Sequence, residues 1–316
     1  MRKLISIVTP VYNEEGNVEE CAKMVRALFD DGGPLAAYDL EHIFADNCST
    51  DATVPALRKL AEADKRVKVI LNARNFGPFR STFNALKSAN GDAVVPLLAA
   101  DLQDPVEMIA DFVRLWEDGF EVVQGVRETR EEGRVMVAIR RLYYRSVSAL
   151  SSVNVPPNVG EFQLIDRKVV EALKQHDDYY PYIRGMIARC GFRVTGLPYR
   201  VQARKRGMSK NRMWHLVDQG LNGVISTSNV PLRISMIAGL ALSALSIVYA
   251  LLQLLINLVF WRELSAPGIA QLTVAIFFFS GVQLFFIGLL GEYIGAIHSQ
   301  VRGGPLVVER ERINFQ

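Results

Sequence analysis

The chain has 316 residues, enough for one globular domain and a further segment, because single hydrophobic cores rarely grow beyond roughly 250–300 residues. Its 36 lysines and arginines nearly balance 33 aspartates and glutamates, so the composition does not favour nucleic acid or another strong polyanion as a partner. The cysteines Cys21, Cys48 and Cys190 form no C-x-x-C pair and have no nearby histidine cluster, which argues against structural zinc and against a disulfide framework.

The first part of the chain alternates apolar runs with segments of helical spacing. The apolar runs are continuous, which is typical of strands covered on both faces. They lie at 4–11, 39–45, 67–71, 93–100 and 120–126, and the helical segments at 16–29, 51–63, 78–89 and 105–117. Asp104, before Pro105, is predicted to cap the last of these helices. This order predicts a doubly wound α/β domain with a mostly parallel sheet.

Polar residues follow four of the predicted strands, where ligands of such sheets bind. These strands end, in chain order, in PVYNEEGN, ADNCSTD, NARNFG and AADLQDP. Neither a G-x-G-x-x-G turn nor a G-x-x-x-x-G-K-[ST] loop is present in the sequence, so the common phosphate cradles are missing. A nucleotide would therefore be held by side chains and a divalent cation.

The chain changes character near residue 230. Ile234 to Trp261 and Leu264 to Gly291 are two stretches of 28 residues without a charged side chain. Because about 20 apolar residues cross a bilayer, we predict two transmembrane helices, at 231–261 and 264–297. The alternative is a hairpin buried in a soluble core.

The distribution of basic residues predicts the topology of these spans. Lysines and arginines cluster in a juxtamembrane segment at 204–230, whereas the hairpin has only Arg262. The positive-inside rule then predicts that both termini are cytoplasmic, with a cytosolic domain at 1–203 and a cytosolic tail at 298–316. Residues 134–150 mix aromatic, aliphatic and basic side chains, which is typical of an interfacial helix.

Eight motifs, taken in order, resemble those of the polyisoprenyl-phosphate glycosyltransferases of glycosyltransferase family 2, a group that includes dolichol-phosphate mannose synthases and bactoprenol glucosyltransferases. The motifs are SIVTPVYNEEGNV, DNCSTD, ARNFG, ADLQDP, GVR, VGEFQLIDRKVVEAL, GLPYRVQAR and GVQLFFIGLLGEYIGAIHSQVRGGPLVVERE. The similarity covers essentially the whole chain, including the two predicted spans.

The resemblance implies a GT-A-type fold and a defined reaction. A sugar passes with inversion from a nucleotide sugar to polyprenyl (undecaprenyl) phosphate, at the cytosolic face of a bacterial inner membrane. UDP-glucose is the expected donor, and N-acetylglucosamine, mannose and aminoarabinose remain as alternative sugars. The resemblance also implies a homo-oligomer, either a tetramer or a dimer, in the lipid bilayer.

The resemblance implies a divalent cation, Mg²⁺ or Mn²⁺, at Asp101 and Gln103, with Asp101 also counted as catalytic. Such cations prefer oxygen ligands and usually keep waters and substrate phosphates. As a Lewis acid the cation stabilises the diphosphate leaving group. Ala99 replaces the first aspartate of the family pattern, which is expected to weaken metal binding. A protein that binds the donor without transferring sugar is the alternative that Ala99 leaves open.

The implied nucleotide contacts lie in three motifs. They are Pro10, Tyr12 and Glu14 in PVYNEE, Asp46 in ADNCSTD, and Asn75 and Gly77 in ARNFG. Asp46 matches the first acid of the family's Asp-Asp-Gly-Ser pattern and is the expected partner for a uracil N–H. Asn47 and Cys48 replace the next two residues of that pattern, which leaves the identity of the base open.

The acceptor phosphate needs cations near the bilayer. Arg127 and Arg141 resemble the family's lipid-phosphate-binding arginines, and a guanidinium holds phosphate bidentately. Lys210 in the basic segment is a further candidate. Glu161 stands where most relatives carry aspartate, either as a general base or as a positioning residue. We favour positioning, because a phosphate monoester has a second pKa near ~6 and is already largely a dianion at neutral pH.

Two other classes of protein are considered. A processive polysaccharide synthase is not favoured, because the sequence has no Q-x-x-R-W motif and two spans are few for a polymer channel. A transporter or a non-catalytic membrane scaffold is the alternative outside enzymes. Arg233 and Glu292 lie near the ends of the predicted spans, and the stretches from Ile234 to Trp261 and from Leu264 to Gly291 carry no charged residue that would mark a transport pathway.

Overall fold

A computed structural model describes residues 2–128, 159–202, 230–259 and 269–315. These residues divide into an α/β unit, which includes the C-terminal segment from Gly303, and a helical unit. The strands are β1 (Leu4–Val11), β2 (Asp39–Asp46), β3 (Val67–Asn72), β4 (Ala93–Val95), β5 (Val122–Arg127), β6 (Val159–Asp166), β7 (Val194–Tyr199) and β8 (Glu309–Ile313). The helices are α1 (Val18–Phe29), α2 (Thr53–Ala63), α3 (Pro78–Lys87), α4 (Met108–Glu117), α5 (Arg167–Lys174), α6 (Ile183–Arg189), α7 (Val230–Val259) and α8 (Ile269–Val301).

The strands form one eight-stranded sheet in the order β7-β5-β6-β4-β1-β2-β3-β8. β1 pairs in parallel with β2 and β4, β2 with β3, and β5 with β7. Only β6 and β8 run antiparallel to their neighbours. The predicted doubly wound, mostly parallel α/β fold is therefore confirmed for the α/β unit.

Helices cover both faces of the sheet. In α4 the buried residues Ile109, Phe112, Val113 and Trp116 recur at the spacing of one helical face. They pack with β1, β6 and α1 in one apolar cluster, whereas α3, α5 and α6 pack on the opposite face. Burial on both faces explains why the central strands are continuous apolar runs rather than alternating ones.

Two predicted boundaries differ from the structure. β4 ends at Val95 rather than at residue 100, because Pro96 has no N–H to continue the ladder. The chain still follows β1, since Leu98 N–H donates to the Val8 carbonyl at 2.9 Å. α4 begins at Met108, and the preceding residues form a turn instead of the predicted first helical residues.

The C-terminal segment contains a strand that the sequence analysis did not predict. β8 lies within the predicted tail at 298–316 and pairs antiparallel with β3, so it covers that edge of the sheet. The Asn314 side chain donates to the carbonyls of Ala61 (2.7 Å) and Val67 (2.8 Å). The Arg58 guanidinium pairs with the Glu311 carboxylate at 2.8 Å. The chain that follows α8 is thus an integral part of the α/β unit.

The helical unit contains α7, of 30 residues, and α8, of 33 residues. Within the described residues one segment, Phe278–Val301, is long and apolar enough to cross a membrane by length and composition. Leu240, Leu284 and Phe285 are 68–74% exposed, which is not the pattern of a hairpin buried in a soluble core. The prediction of two spans is supported in part and otherwise stays a prediction.

Candidate active site

The parallel strands bring their carboxyl ends to one edge of the sheet. The register pairs Val11 of β1 with Asp46 of β2, and Asp46 with Leu71 of β3. The turns that follow these strands therefore lie side by side, as the sequence analysis expects. Pro10 is inside β1 opposite Ala45, and Tyr12, which is 38% exposed, follows the end of that strand.

The turns after β1 and β2 are joined by side chains. Asn13 Oδ1 accepts from Thr50 N–H at 2.8 Å, and Asn13 N–H donates to Ser49 Oγ at 2.9 Å. Asn13 and Cys48 have positive φ angles of 54° and 65°, a backbone conformation that costs free energy for residues other than glycine. These bonds hold the Tyr12 region and the Asp46 region in one arrangement.

The two predicted nucleotide-contacting acids are engaged by their own turns. Asp46 is fully buried, and its carboxylate accepts from Ser49 N–H at 3.1 Å. Burial raises the pKa of Asp46, and hydrogen bonds from its turn act in the opposite direction. The Glu14 carboxylate accepts from Asn17 Nδ2 at 2.6 Å. Both side chains therefore shape the edge of the sheet, whether or not they also contact a nucleotide.

Asn47 is a structural residue of this edge that the sequence analysis missed. Its Nδ2 donates to Asn75 Oδ1 at 2.8 Å, and its Oδ1 accepts from Phe76 N–H at 2.9 Å. Asn75 Oδ1 also accepts from Gly77 N–H at 2.9 Å. Gly77 has φ +86°, which glycine adopts without strain, and Pro78 then begins α3. The predicted residues Asn75 and Gly77 thus belong to a loop whose shape Asn47 maintains.

Asp101 and Gln103 flank a strained residue. Asp101 is only 8% exposed, and its Oδ1 accepts from Gln103 N–H at 3.3 Å. Leu102 between them has φ 55°, an unusual conformation for a bulky side chain. Such strain is found preferentially at functional sites.

The metal ligands that Asp101 and Gln103 offer fit a cation that binds together with a diphosphate. Within the described ranges no group of three histidine, cysteine, aspartate or glutamate side chains could hold a metal ion. One buried carboxylate and one amide oxygen are too few to hold Mg²⁺ or Mn²⁺ without other ligands. They are sufficient when diphosphate oxygens and waters complete the coordination.

The prediction that Asp104 caps α4 is wrong. α4 begins four residues later, and its N-cap, Glu107, makes no capping hydrogen bond with its side chain. Asp104 is 3% exposed and accepts from the Tyr199 hydroxyl at 2.5 Å and from Arg127 Nη2 at 3.3 Å. Arg127 Nε donates to the same hydroxyl at 3.0 Å. Burial and the neighbouring Asp104 carboxylate raise the pKa of Tyr199, so its hydroxyl stays protonated.

Glu161 lies in β6 near two arginines. Its side chain is half-buried, and desolvation raises its pKa while the charges of Arg184 and Arg127 lower it. Arg184, in α6, donates through Nε to the Tyr182 hydroxyl at 2.9 Å and through Nη1 to the Val159 carbonyl. Arg184 was not predicted from the sequence, because it is a single basic residue in a helix that was not predicted either.

Two predicted site residues fall outside the described ranges. Arg141 lies in the predicted interfacial helix at 134–150, and Lys210 lies in the basic segment. Of the three predicted phosphate-binding cations, the structure therefore describes Arg127, whose side chain is 47% exposed.

Two family models match this chain, one in the α/β unit and one in the helical unit. The family model for glycosyl transferase family 2 matches residues 6–174, and that for the GtrB C-terminal hairpin matches residues 230–297. The chain is 34% identical over 304 residues to an uncharacterized glycosyltransferase of Synechocystis, covering 96% of this chain and 93% of that protein. It is 34% identical over 302 residues to the SfII prophage-derived bactoprenol glucosyl transferase of Shigella flexneri, covering 95% and 96%.

Among solved structures, a mannosyltransferase of Pyrobaculum calidifontis aligns with 95% of this chain and 86% of its own, at 17% identity and a TM-score of 0.47. The family assignment rests on the sequence matches, which extend over nearly the full length of the chain. This protein belongs to glycosyltransferase family 2 and is a glycosyltransferase.

Proposed function

We propose that this glycosyltransferase transfers glucose from UDP-glucose, with inversion, to undecaprenyl phosphate at the cytosolic face of a bacterial inner membrane. The observation that carries the proposal is the similarity to a bactoprenol glucosyl transferase of Shigella flexneri over 95% of this chain, C-terminal hairpin included. A soluble acceptor would give no reason for a hairpin of two apolar helices.

The donor is proposed to bind at the carboxyl ends of β1, β2 and β3, with its diphosphate toward Asp101 and Gln103. The joined turns after β1 and β2 form a preorganised edge, which lowers the entropy cost of holding a nucleotide. A divalent cation bound with the diphosphate would stabilise the negative charge of the departing UDP. Asp101 contributes a carboxylate and Gln103 an amide oxygen to that cation.

The acceptor phosphate is proposed to lie against Arg127. One phosphate oxygen attacks the anomeric carbon while the bond from that carbon to the UDP oxygen breaks on the opposite face, which inverts the configuration. A phosphate that is already a dianion loses no proton in this step, so Glu161 need not act as a base. We assign Glu161 to the placement of Arg127 and Arg184, whose charges both act on it.

The membrane part is proposed to contain two spans, formed by α7 and α8, with both termini cytoplasmic. The absence of charge from Ile234 to Trp261 and from Leu264 to Gly291 supports this topology, as does the match to a hairpin family. We further propose that the chain assembles as a homo-oligomer, a tetramer or a dimer.

The test offers detergent-purified protein UDP-glucose, UDP-N-acetylglucosamine, GDP-mannose and UDP-aminoarabinose in turn, each with undecaprenyl phosphate, with and without EDTA. We expect a lipid-linked sugar from UDP-glucose alone, and none with EDTA. Product from another donor would replace the assigned sugar and keep the reaction class. No product with any donor would contradict the proposed function and favour a non-catalytic binding protein.

A further inference from the structure

Asp104 and Tyr199 form a buried pair that the proposed reaction does not yet use. The Tyr199 hydroxyl donates to Asp104 Oδ1 at 2.5 Å, although the two residues are 95 positions apart in the sequence. Both side chains are at most 5% exposed. A buried carboxylate is costly unless it is paired and hydrogen-bonded, and here its partners are this hydroxyl and the Arg127 guanidinium.

The pair accepts hydrogen bonds from one edge of the planar Arg127 guanidinium. Nε donates to the Tyr199 hydroxyl at 3.0 Å, and Nη2 donates to Asp104 Oδ1 at 3.3 Å. A guanidinium has five N–H donors in a planar fork, and these two bonds occupy the side formed by Nε and Nη2. The opposite edge, formed by Nη1 and the second Nη2 hydrogen, keeps the geometry that matches two oxygens of a phosphate.

Two glycines provide the space for this arrangement. A Cβ atom at Gly125 would lie 2.8 Å from the Tyr199 ring, and one at Gly160 would lie 3.2 Å from Arg127 Nε. The ring of Tyr199 also packs against Phe162 in an edge-on contact, with centroids 5.9 Å apart. Packing therefore restricts the ring, and the ring in turn restricts the guanidinium.

We propose that Tyr199 and Asp104 are positioning residues that present the outer edge of Arg127 to the phosphate of the lipid acceptor. The inference rests on the proposed function, because it assigns a phosphate-bearing acceptor to Arg127. Tyr199 acts through Arg127 and does not contact the substrate. Its hydroxyl accepts from the guanidinium and donates to the carboxylate, so both partners are oriented by a single group.

The decisive variant is Tyr199→Phe, which keeps the ring and removes the hydroxyl. We expect its KM for undecaprenyl phosphate to rise by about tenfold or more, because the charge-assisted contact between Arg127 and the acceptor phosphate is misaligned. Its KM for UDP-glucose should stay within about twofold of the unaltered enzyme. Tyr38→Phe is the matched control, because the Tyr38 hydroxyl also donates to a carboxylate, Glu117 Oε1, at 3.1 Å. Tyr38→Phe should leave both KM values within about twofold of the unaltered enzyme.

A double-mutant cycle separates positioning from general structural support. In an Arg127→Ala background, Tyr199→Phe should cause no further rise in the KM for the lipid, because its effect passes through Arg127. An unchanged lipid KM in Tyr199→Phe contradicts the inference. So does an equal rise in both KM values together with a lower melting temperature. Unaltered protein that makes no lipid-linked sugar from any donor contradicts the proposed function, and the inference falls with it.

Discussion

Asn72 and Gln163 are two buried amide side chains that differ in their hydrogen bonding. Asn72 Nδ2 donates to Ser81 Oγ at 2.9 Å, next to the loop that contains Asn75 and Gly77. Gln163 in β6 is fully buried, and in the described part of the chain neither its Nε2 nor its Oε1 has a hydrogen-bond partner. An unsatisfied buried polar group costs roughly 1–3 kcal/mol, so Gln163 is expected to reduce the stability of the sheet.

We therefore predict opposite effects of two substitutions of similar shape. Gln163→Met should leave the free energy of unfolding unchanged or raise it by about 1 kcal/mol, because no hydrogen bond is lost. Asn72→Leu should lower it by about 1–3 kcal/mol, because the Ser81 hydroxyl and Asn47 lose their partner. Thermal unfolding of the detergent-purified protein compares the two. Equal destabilisation by both variants would show that Gln163 has a partner.

The carboxylates of Asp101 and Glu161 are predicted to differ in importance. Asp101→Asn should reduce kcat by about 100-fold or more, because it removes the carboxylate proposed to hold the cation at the leaving group. Glu161→Gln should keep activity within about tenfold, because a phosphate dianion needs no general base. Initial rates of lipid-linked sugar formation measure both effects. Near-complete loss in Glu161→Gln with an unchanged melting temperature would overturn this ranking of the two carboxylates.

At the scale of elements, β8 is attached by its backbone, by Asn314 just after it, and by Glu309, whose Oε1 accepts from Asn84 Nδ2 at 2.6 Å. The ion pair between Arg58 and Glu311 is exposed, and such pairs contribute only about 0–1 kcal/mol. Asn314 makes two hydrogen bonds to the backbone carbonyls of Ala61 and Val67, and it has φ 61°, which asparagine tolerates better than alanine does. The asparagine is therefore the stronger attachment.

Asn314→Ala should consequently cost more stability than Arg58→Ala. We expect a loss of about 1–3 kcal/mol for the asparagine, from two unsatisfied carbonyls and an unfavourable φ. The loss for the arginine should stay below about 1 kcal/mol. Denaturant unfolding of the purified variants provides the measurement. A larger loss in Arg58→Ala would mean that the ion pair, and not Asn314, holds β8 in place.

At the scale of the whole molecule, the small donor set at Asp101 predicts that metal binding depends on the nucleotide. Ala99 leaves Asp101 as the sole carboxylate of the AADLQ stretch, so most ligands must come from the diphosphate and water. Titration of Mn²⁺ into the protein should give weak binding alone and binding at least about tenfold tighter with UDP present. Equal affinity in both titrations would indicate a cation held by the protein itself.

The sequence by itself determined the local features of this protein. Continuous apolar runs identified five of the strands, and helical spacing identified four of the helices. The charge-free stretches indicated a membrane part, because hydrophobicity acts residue by residue. The order of the polar strand ends indicated which residues meet at one edge of the sheet, because parallel strands share that edge.

Only the tertiary structure decided which distant residues meet. β6 enters the sheet antiparallel between β4 and β5, which brings Glu161 near Arg127 and Arg184. Asp104 does not cap α4 as predicted but accepts hydrogen bonds from Tyr199 and Arg127. A hydroxyl and a guanidinium stabilise a buried carboxylate more than the first N–H groups of a helix do. Strand order and loop conformation set these contacts, and no local pattern encodes either of them.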